Sequence, residues 1–213
     1  MEERKYLSLV SHYEQCLEQH GDSHLGVDWP NADDVHKRHR VMLDVIKPEL
    51  HRQKVTLLDF GCGAAHLNEY ILEQRLDDIE YTGLDLSEKF VRLSHSKFPT
   101  NRFFCLDLLQ ENVSLPQFDY IVLNGVFTEK QELSFDEMLS YFKALLERVF
   151  AHAANGIAFN VMSKHVDWER EDLFHLPFDI VAEFLQKKLT RHFVFRNDYG
   201  LYEYTTYVYH DPS

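Results

Sequence analysis

Three acids and two glycines carry the chemistry this sequence can do. Val55–Phe60 is a short apolar run of β-forming residues, with Asp59 next to its end and Gly61-Cys62-Gly63 directly after it. Two glycines one residue apart let a backbone turn tightly and pass close to a ligand where a Cβ would clash. Asp85 and Asp107 each follow a further apolar β-prone run, about one strand–helix unit apart, and Asn124 follows a fourth. On an open α/β sheet, ligands bind beyond the carboxyl ends of the strands, where these residues lie. Asp, Asn and Gly also gather there as caps and turn formers. An ordered set of a Gly-x-Gly turn and two strand-end acids is harder to assign to capping alone.

The chemistry separates two ligand classes. A dinucleotide turn needs a third glycine where His66 stands, and Asp59 would repel a pyrophosphate. An acid at that point suits an ammonium group. Asp85 is placed to accept from two ribose hydroxyls, Asp107 to accept from the exocyclic amine of adenine, and Leu86, Leu106 and Leu108 to sandwich the purine.

The elements that must position these residues follow from periodicity. Apolar residues at three- and four-residue spacing predict a helix over 4–20 (Tyr6, Leu9, Val10, Tyr13, Leu17), with Gly21 as its C-cap. Asn31 is expected to cap a second helix over 32–51, with Leu50 on its apolar face and Pro48 stopping or kinking its end. Strands are expected at 54–60, 79–84, 102–106, 118–123, 156–162, 190–196 and 202–209. Helices are expected at 65–75, 87–97, 135–152 and 177–188. Alternation of the two predicts a mostly parallel, doubly wound seven-stranded sheet covered on both faces, closed by a C-terminal antiparallel hairpin. With no repeat or linker, residues 1–213 are read as a single domain: an N-terminal helical cap over 1–52 and a core over 53–213.

Asp59-Phe60-Gly61-Cys62-Gly63-Ala64-Ala65 resembles the Asp-x-Gly-x-Gly-x-Gly signature of class I S-adenosylmethionine-dependent methyltransferases, with Ala65 at the usual last glycine. The strand-end acids and terminal hairpin match that family's plan over about residues 54–209. The resemblance implies S-adenosylmethionine as the methyl donor. It implies that Asp59, Gly61 and Gly63 hold the methionine moiety, that Asp85 holds the ribose and that Asp107 lies near adenine; Cys62, Leu86, Leu108 and Asn124 are read as further donor-site residues.

The helical extension is expected to fold over that site. Arg38 could pair with the donor's carboxylate and Trp29 face its sulfonium. The alternatives are a solvated helix face for Arg38 and loop packing for Trp29. Acceptor-binding residues are expected from the ends of the fourth and fifth strands and the hairpin: Asn124, Phe127, Ser163, His165, His175, Tyr199 and Glu203. His165 is the candidate general base, with an incidental surface histidine as the alternative. Asn124-Gly125-Val126-Phe127 lacks the Asn/Asp-Pro-Pro-aromatic motif of enzymes that methylate nucleobase amino groups.

The net charge of −13 disfavours a phosphate-backbone footprint and hence nucleic acid. No apolar run approaches a membrane span, and no metal-ligand spacing stands out among three cysteines and thirteen histidines. The odd cysteine count and non-secretory start point to reduced thiols and the cytoplasm. The expectation is therefore a cytoplasmic methyltransferase acting on a small molecule. A protein methyltransferase, a non-catalytic scaffold module and a nucleotide-dependent oxidoreductase are its rivals.

Overall fold

A computed structural model describes residues 4–47 and 54–212. Pro48 and Leu50, expected in the second helix, lie outside the described residues. The N-terminal region contributes α1 (Leu7–His20), a short 3₁₀ turn (Leu25–Val27) and α2 (Ala32–Leu43). Then follow β1 (Val55–Phe60), α3 (His66–Glu73), β2 (Ile79–Asp85), α4 (Glu88–Lys97) and β3 (Arg102–Cys105). The second half comprises β4 (Phe118–Phe127), α5 (Phe135–Phe150), β5 (Ala153–Met162), α6 (Phe178–Lys188), β6 (Phe193–Arg196) and β7 (Glu203–Tyr209).

The strands form one sheet of order β3-β2-β1-β4-β5-β7-β6. β1 to β5 pair in parallel, while β7 runs antiparallel between β5 and β6. The order reverses beside β1, so the crevice above β1 and β4 is where a ligand is expected. Both faces are covered, and consecutive residues therefore bury in opposite directions: Leu57 and Leu58 are both fully buried, in separate clusters. Leu57 packs with Met42, Leu67 and Ile71 from α2 and α3. Leu58 packs with Phe142, Leu146 and Leu185 from α5 and α6.

The helix starts follow their expected caps. Asn31 accepts from the Asp33 amide at 3.0 Å, Ser87 from Phe90 at 3.4 Å, and Ser134 and Glu137 complete a capping box on α5. α2 ends at Leu43, short of the expected 51, where the Asp44 amide as C-cap donates to the Arg40 carbonyl at 3.0 Å. β4 runs past its expected end at Leu123 to Phe127. Gly125, at φ +84°, lies within the irregularity, after which Phe127 pairs with Val161 in a shifted register. Among the described residues no helix is long and apolar enough to cross a membrane.

Candidate functional site: two adjoining recesses

The turn after β1 is fixed by the neighbouring strand. The amides of Gly61 and Cys62 both donate to the Leu84 carbonyl, at 2.7 and 2.9 Å. Gly61 has φ +76°, and a Cβ there would lie 2.6 Å from Val126 Cγ2. Gly63 has φ +51°, and its amide donates to Asp85 Oδ2 at 2.9 Å. The Ser87 amide donates to Asp85 Oδ1 at 2.8 Å. Asp85 is thus aimed by two backbone amides, which stabilise its charged form against the burial that raises its pKa. Asp59 lies beneath the same turn, buried, with Oδ2 accepting from the Tyr81 hydroxyl at 2.9 Å. Burial pushes its carboxyl up to about 7, against the Tyr81 bond.

These groups open into a recess of about 1150 Å³, its open mouth included. Asp59, Gly61, Cys62, Gly63, Asp85 and Leu86 form its floor. Asn124 and Trp29 stand at its side, and α1 roofs it with Leu9, Val10 and Tyr13. The roof is latched at several points. Ser87 Oγ donates to Glu14 at 2.6 Å, Lys89 pairs with Glu14 and Glu18, and Arg4 and Tyr6 both donate to Asp107 Oδ2 at 3.0 and 2.8 Å. Two buried polar atoms of lining residues, Asn124 Oδ1 and His39 Nδ1, lack a hydrogen-bond partner among the described residues. Burial pushes His39 down to about 3, so its ring is neutral. The recess therefore offers acids, an orphaned acceptor and apolar walls. That set fits a ligand with ammonium, hydroxyl and aromatic parts.

A second recess of about 1120 Å³ adjoins the first. Asp28, Trp29 and Thr128 line both. Its walls come from the ends of β4 and β5, the loop 163–176 and the β6–β7 hairpin, with Glu129, Met162, Arg170 and Tyr202 among them. A chain of bonds runs through its wall. Arg38 Nε donates to Glu203 Oε2 at 2.9 Å, Asn160 Nδ2 to Glu203 Oε1 at 2.9 Å, and the Gly125 amide to Asn160 Oδ1 at 2.8 Å. Arg38 also lies 4.0 Å over the Trp29 ring.

Asp59, Gly61, Cys62, Gly63, Asp85, Leu86, Asn124 and Trp29 therefore line one recess, as the sequence suggested. Others are placed differently. Arg38 faces the second recess, and its ion-pair partner is Glu203, so both of its expected alternatives give way to a buried structural pair. Trp29 takes that guanidinium as its cation. Asp107 is not an open adenine acceptor: Arg4 and Tyr6 occupy Oδ2 and the Leu109 amide occupies Oδ1, making it a latch for the roof. Leu108 and Phe127 are core residues, Phe127 wedged edge-on against Phe142 at 4.9 Å. Ser163 is buried, accepting from the His165 amide, and Tyr199 is buried against Thr205. His165 is exposed, stacks on Phe178 and lines neither recess, which removes the geometric basis for a base role. His12, Cys16 and Asp28 come within 4.8 Å of one another, but His12 and Asp28 already share a direct hydrogen bond at 2.7 Å.

Sequence reasoning missed Tyr13, Asp28, Thr128 and Glu129. Thr128 and Glu129 sit in a polar run that reads as a solvated loop. The signal that could have found them is apolar Val126-Phe127, which carries the strand past Asn124.

Residues 58–156 match the family model described as a methyltransferase domain. The whole chain has the class I methyltransferase fold, shared with solved structures of low sequence identity. Magnesium protoporphyrin IX methyltransferase (ChlM) from Synechocystis, solved with S-adenosylhomocysteine, is 12% identical at TM-score 0.65, with 98% of this chain and 97% of that one covered. The 1,6-didemethyltoxoflavin-N1-methyltransferase of Burkholderia thailandensis is 18% identical at TM-score 0.61, covering 97% and 87%. The plantazolicin methyltransferase BpumL is 15% identical at TM-score 0.61, covering 96% and 98%. No curated protein matches the chain in sequence.

Proposed function

We propose that this protein is an S-adenosylmethionine-dependent methyltransferase acting on a small molecule. The observation that carries the reading is the Gly63–Asp85 contact at the mouth of β1 and β2: a backbone turn that leaves room for a ligand, bonded to the acid that would grip its ribose. Asp59 and the orphaned Asn124 Oδ1 would receive the ammonium of the methionine moiety, and Asp85 the ribose hydroxyls. Leu86 would lie against the purine. The donor, when bound, supplies an electrophilic methyl group on a sulfonium. The chain's own part is to orient donor and acceptor in line and to exclude water, which the α1 roof does over the first recess. Tyr13 would offer π-electron density near the cationic centre.

A small acceptor is supported by the second recess, by the shared boundary at Asp28, Trp29 and Thr128, and by structures of similar fold whose names specify magnesium protoporphyrin IX, 1,6-didemethyltoxoflavin and plantazolicin. The described N-terminal helices serve as the cap of the core, and the three unpaired thiols fit a reducing, cytoplasmic setting. Calorimetry tests the proposal with S-adenosylmethionine, S-adenosylhomocysteine and NAD. Binding of both sulfur nucleosides and not NAD is expected. Folded protein that binds neither of them overturns it.

A further inference from the structure

The second recess carries information about the acceptor's class, an inference that rests on the methyl-donor reading of the first. We propose that it receives an amine with an apolar body, whose ammonium is held by Glu129 and loses its proton there.

Glu129 is 8% exposed and lines the recess one residue beyond Thr128, which faces both recesses. Its Oε2 accepts from the Gln131 amide at 2.8 Å. Oε1 has no hydrogen bond, and no cation pairs with Glu129, among the described residues. A buried carboxylate left this way is costly until a cation or proton arrives.

The cations around it are committed elsewhere. Arg38 is held by Glu203 at 2.9 Å and Arg170 by Asp172 at 3.0 Å. His175 is engaged at both ring nitrogens: Nδ1 donates to the Ser163 carbonyl at 2.6 Å, and Nε2 accepts from the Arg170 amide at 3.2 Å. Asp28, Asp34 and Asp167 add negative charge to the walls. A carboxylate or phosphate acceptor would meet repulsion there, and a hydroxyl would leave Glu129 unpaired. An ammonium satisfies it. The apolar body has its own receptors, since Trp168 and Tyr202 stand at the mouth 71% and 64% exposed, with Trp29 at the inner boundary.

Burial, then Asp28 and Asp172, push the Glu129 carboxyl up to about 7, against Arg170 and His12. These neighbours come from the turn before α2, the loop 163–176 and α1. A base with that pKa is matched to neutral pH. The balance is simple. The ammonium proton passes to the carboxylate, and the freed lone pair forms the N–C bond as the C–S bond breaks. Positive charge moves from sulfur to nitrogen, the thioether leaves neutral, and the carboxyl returns its proton to water.

The chain's two tryptophans both line this recess, so intrinsic fluorescence reports on it directly. Protein loaded with S-adenosylhomocysteine would be titrated with 2-phenylethylamine, 2-phenylethanol and 3-phenylpropanoate. The amine is expected to bind about tenfold or more tighter than the others, with affinity rising about tenfold from pH 6 to 8 as Glu129 ionises. Glu129→Gln should abolish that rise while S-adenosylhomocysteine affinity stays unchanged. Equal binding of the alcohol or acid, or an undiminished pH rise in Glu129→Gln, overturns the inference. Should the variant fail to fold, the wild-type ranking and pH profile decide. Protein that binds the nucleoside but no amine breaks this inference alone. Protein that binds the amine but not the nucleoside breaks the donor reading and leaves the amine site standing.

Discussion

The two recesses share a wall and are built by opposite means. The first is made of backbone: the Gly61–Gly63 turn, its amides on Leu84 and Asp85, and strand ends in one parallel register. The second is made of side chains brought from far apart in sequence, its wall closed by Arg38 and Glu203 and its mouth by Trp168 and Tyr202. Backbone recognition tolerates little variation and suits a ligand common to a fold. Side-chain recognition changes residue by residue and suits a ligand particular to one protein. Under the proposed function the donor belongs to the first recess and specificity to the second, a division that can be broken from either side.

The largest effect is expected in the second recess. Glu203→Ala removes one partner of a buried pair whose side chains are 13% and 2% exposed, stranding Arg38 and freeing Asn160 Nδ2. Leaving one buried charge unpaired costs about 3–5 kcal/mol. Denaturant unfolding should show that loss, while calorimetric donor affinity falls by less, because Glu203 reaches the first recess only indirectly, through Arg38 on Trp29 and through Asn160 on the Gly125 amide. A large fall in donor affinity would mean the two recesses act as one unit.

Asp85→Ala strikes the first recess. It removes the acceptor of the Gly63 and Ser87 amides and the proposed ribose anchor. Hydrogen bonds to a charged group contribute about 1.5–3 kcal/mol, so donor affinity should fall roughly 10- to 100-fold. Unchanged affinity would move the ribose elsewhere.

The same contrast explains what the sequence disclosed. The mostly parallel sheet, the terminal hairpin and the glycine turn were readable because Gly, Asp and strand periodicity encode backbone geometry locally. Asp107 looked equivalent to Asp85, each ending a strand, yet Arg4 and Tyr6 claim it from about a hundred residues away. Arg38 looked like a donor anchor because its partner, Glu203, lies 165 residues on. Phe127 looked like a site residue because the strand was expected to stop at Leu123. Such partnerships depend on tertiary packing, which no local pattern announces.

A third experiment compares the buried acids themselves. Asp59 is held protonated up to about 7 against an ordinary 3.8, so the folded state keeps a proton that the unfolded chain releases. Its contribution to stability therefore falls as pH rises from about 3.8 to 7, and the whole burial cost is present above that. Asp59→Asn keeps an acceptor for Tyr81 and removes the charge. It should raise stability at pH 8 by about 1–3 kcal/mol, flatten the stability profile between pH 4 and 7, and weaken donor binding. A destabilised variant would show that the carboxylate already has a cationic partner.

The smallest effect tests how strictly the first recess is a backbone device. Ala65, at the usual glycine position of the motif, sits at φ +58° as N-cap of α3 and is fully buried. An L-residue in the left-handed region costs about 1–2 kcal/mol, which Ala65→Gly would relieve. Against that, the variant gives up about 0.8 kcal/mol of buried methyl and, with glycine's looser unfolded chain, about 0.4–1 kcal/mol more. The two sides nearly cancel. Thermal unfolding should show a change within about 1 kcal/mol, and calorimetry an unchanged donor affinity. Gly61→Ala has no such compensation, since its new Cβ meets Val126 Cγ2 at 2.6 Å in the same strained region. If Ala65→Gly instead destabilised the protein strongly, the methyl's packing against Leu67 and its neighbours, and not the turn's dihedral, would be what holds the start of α3 in place.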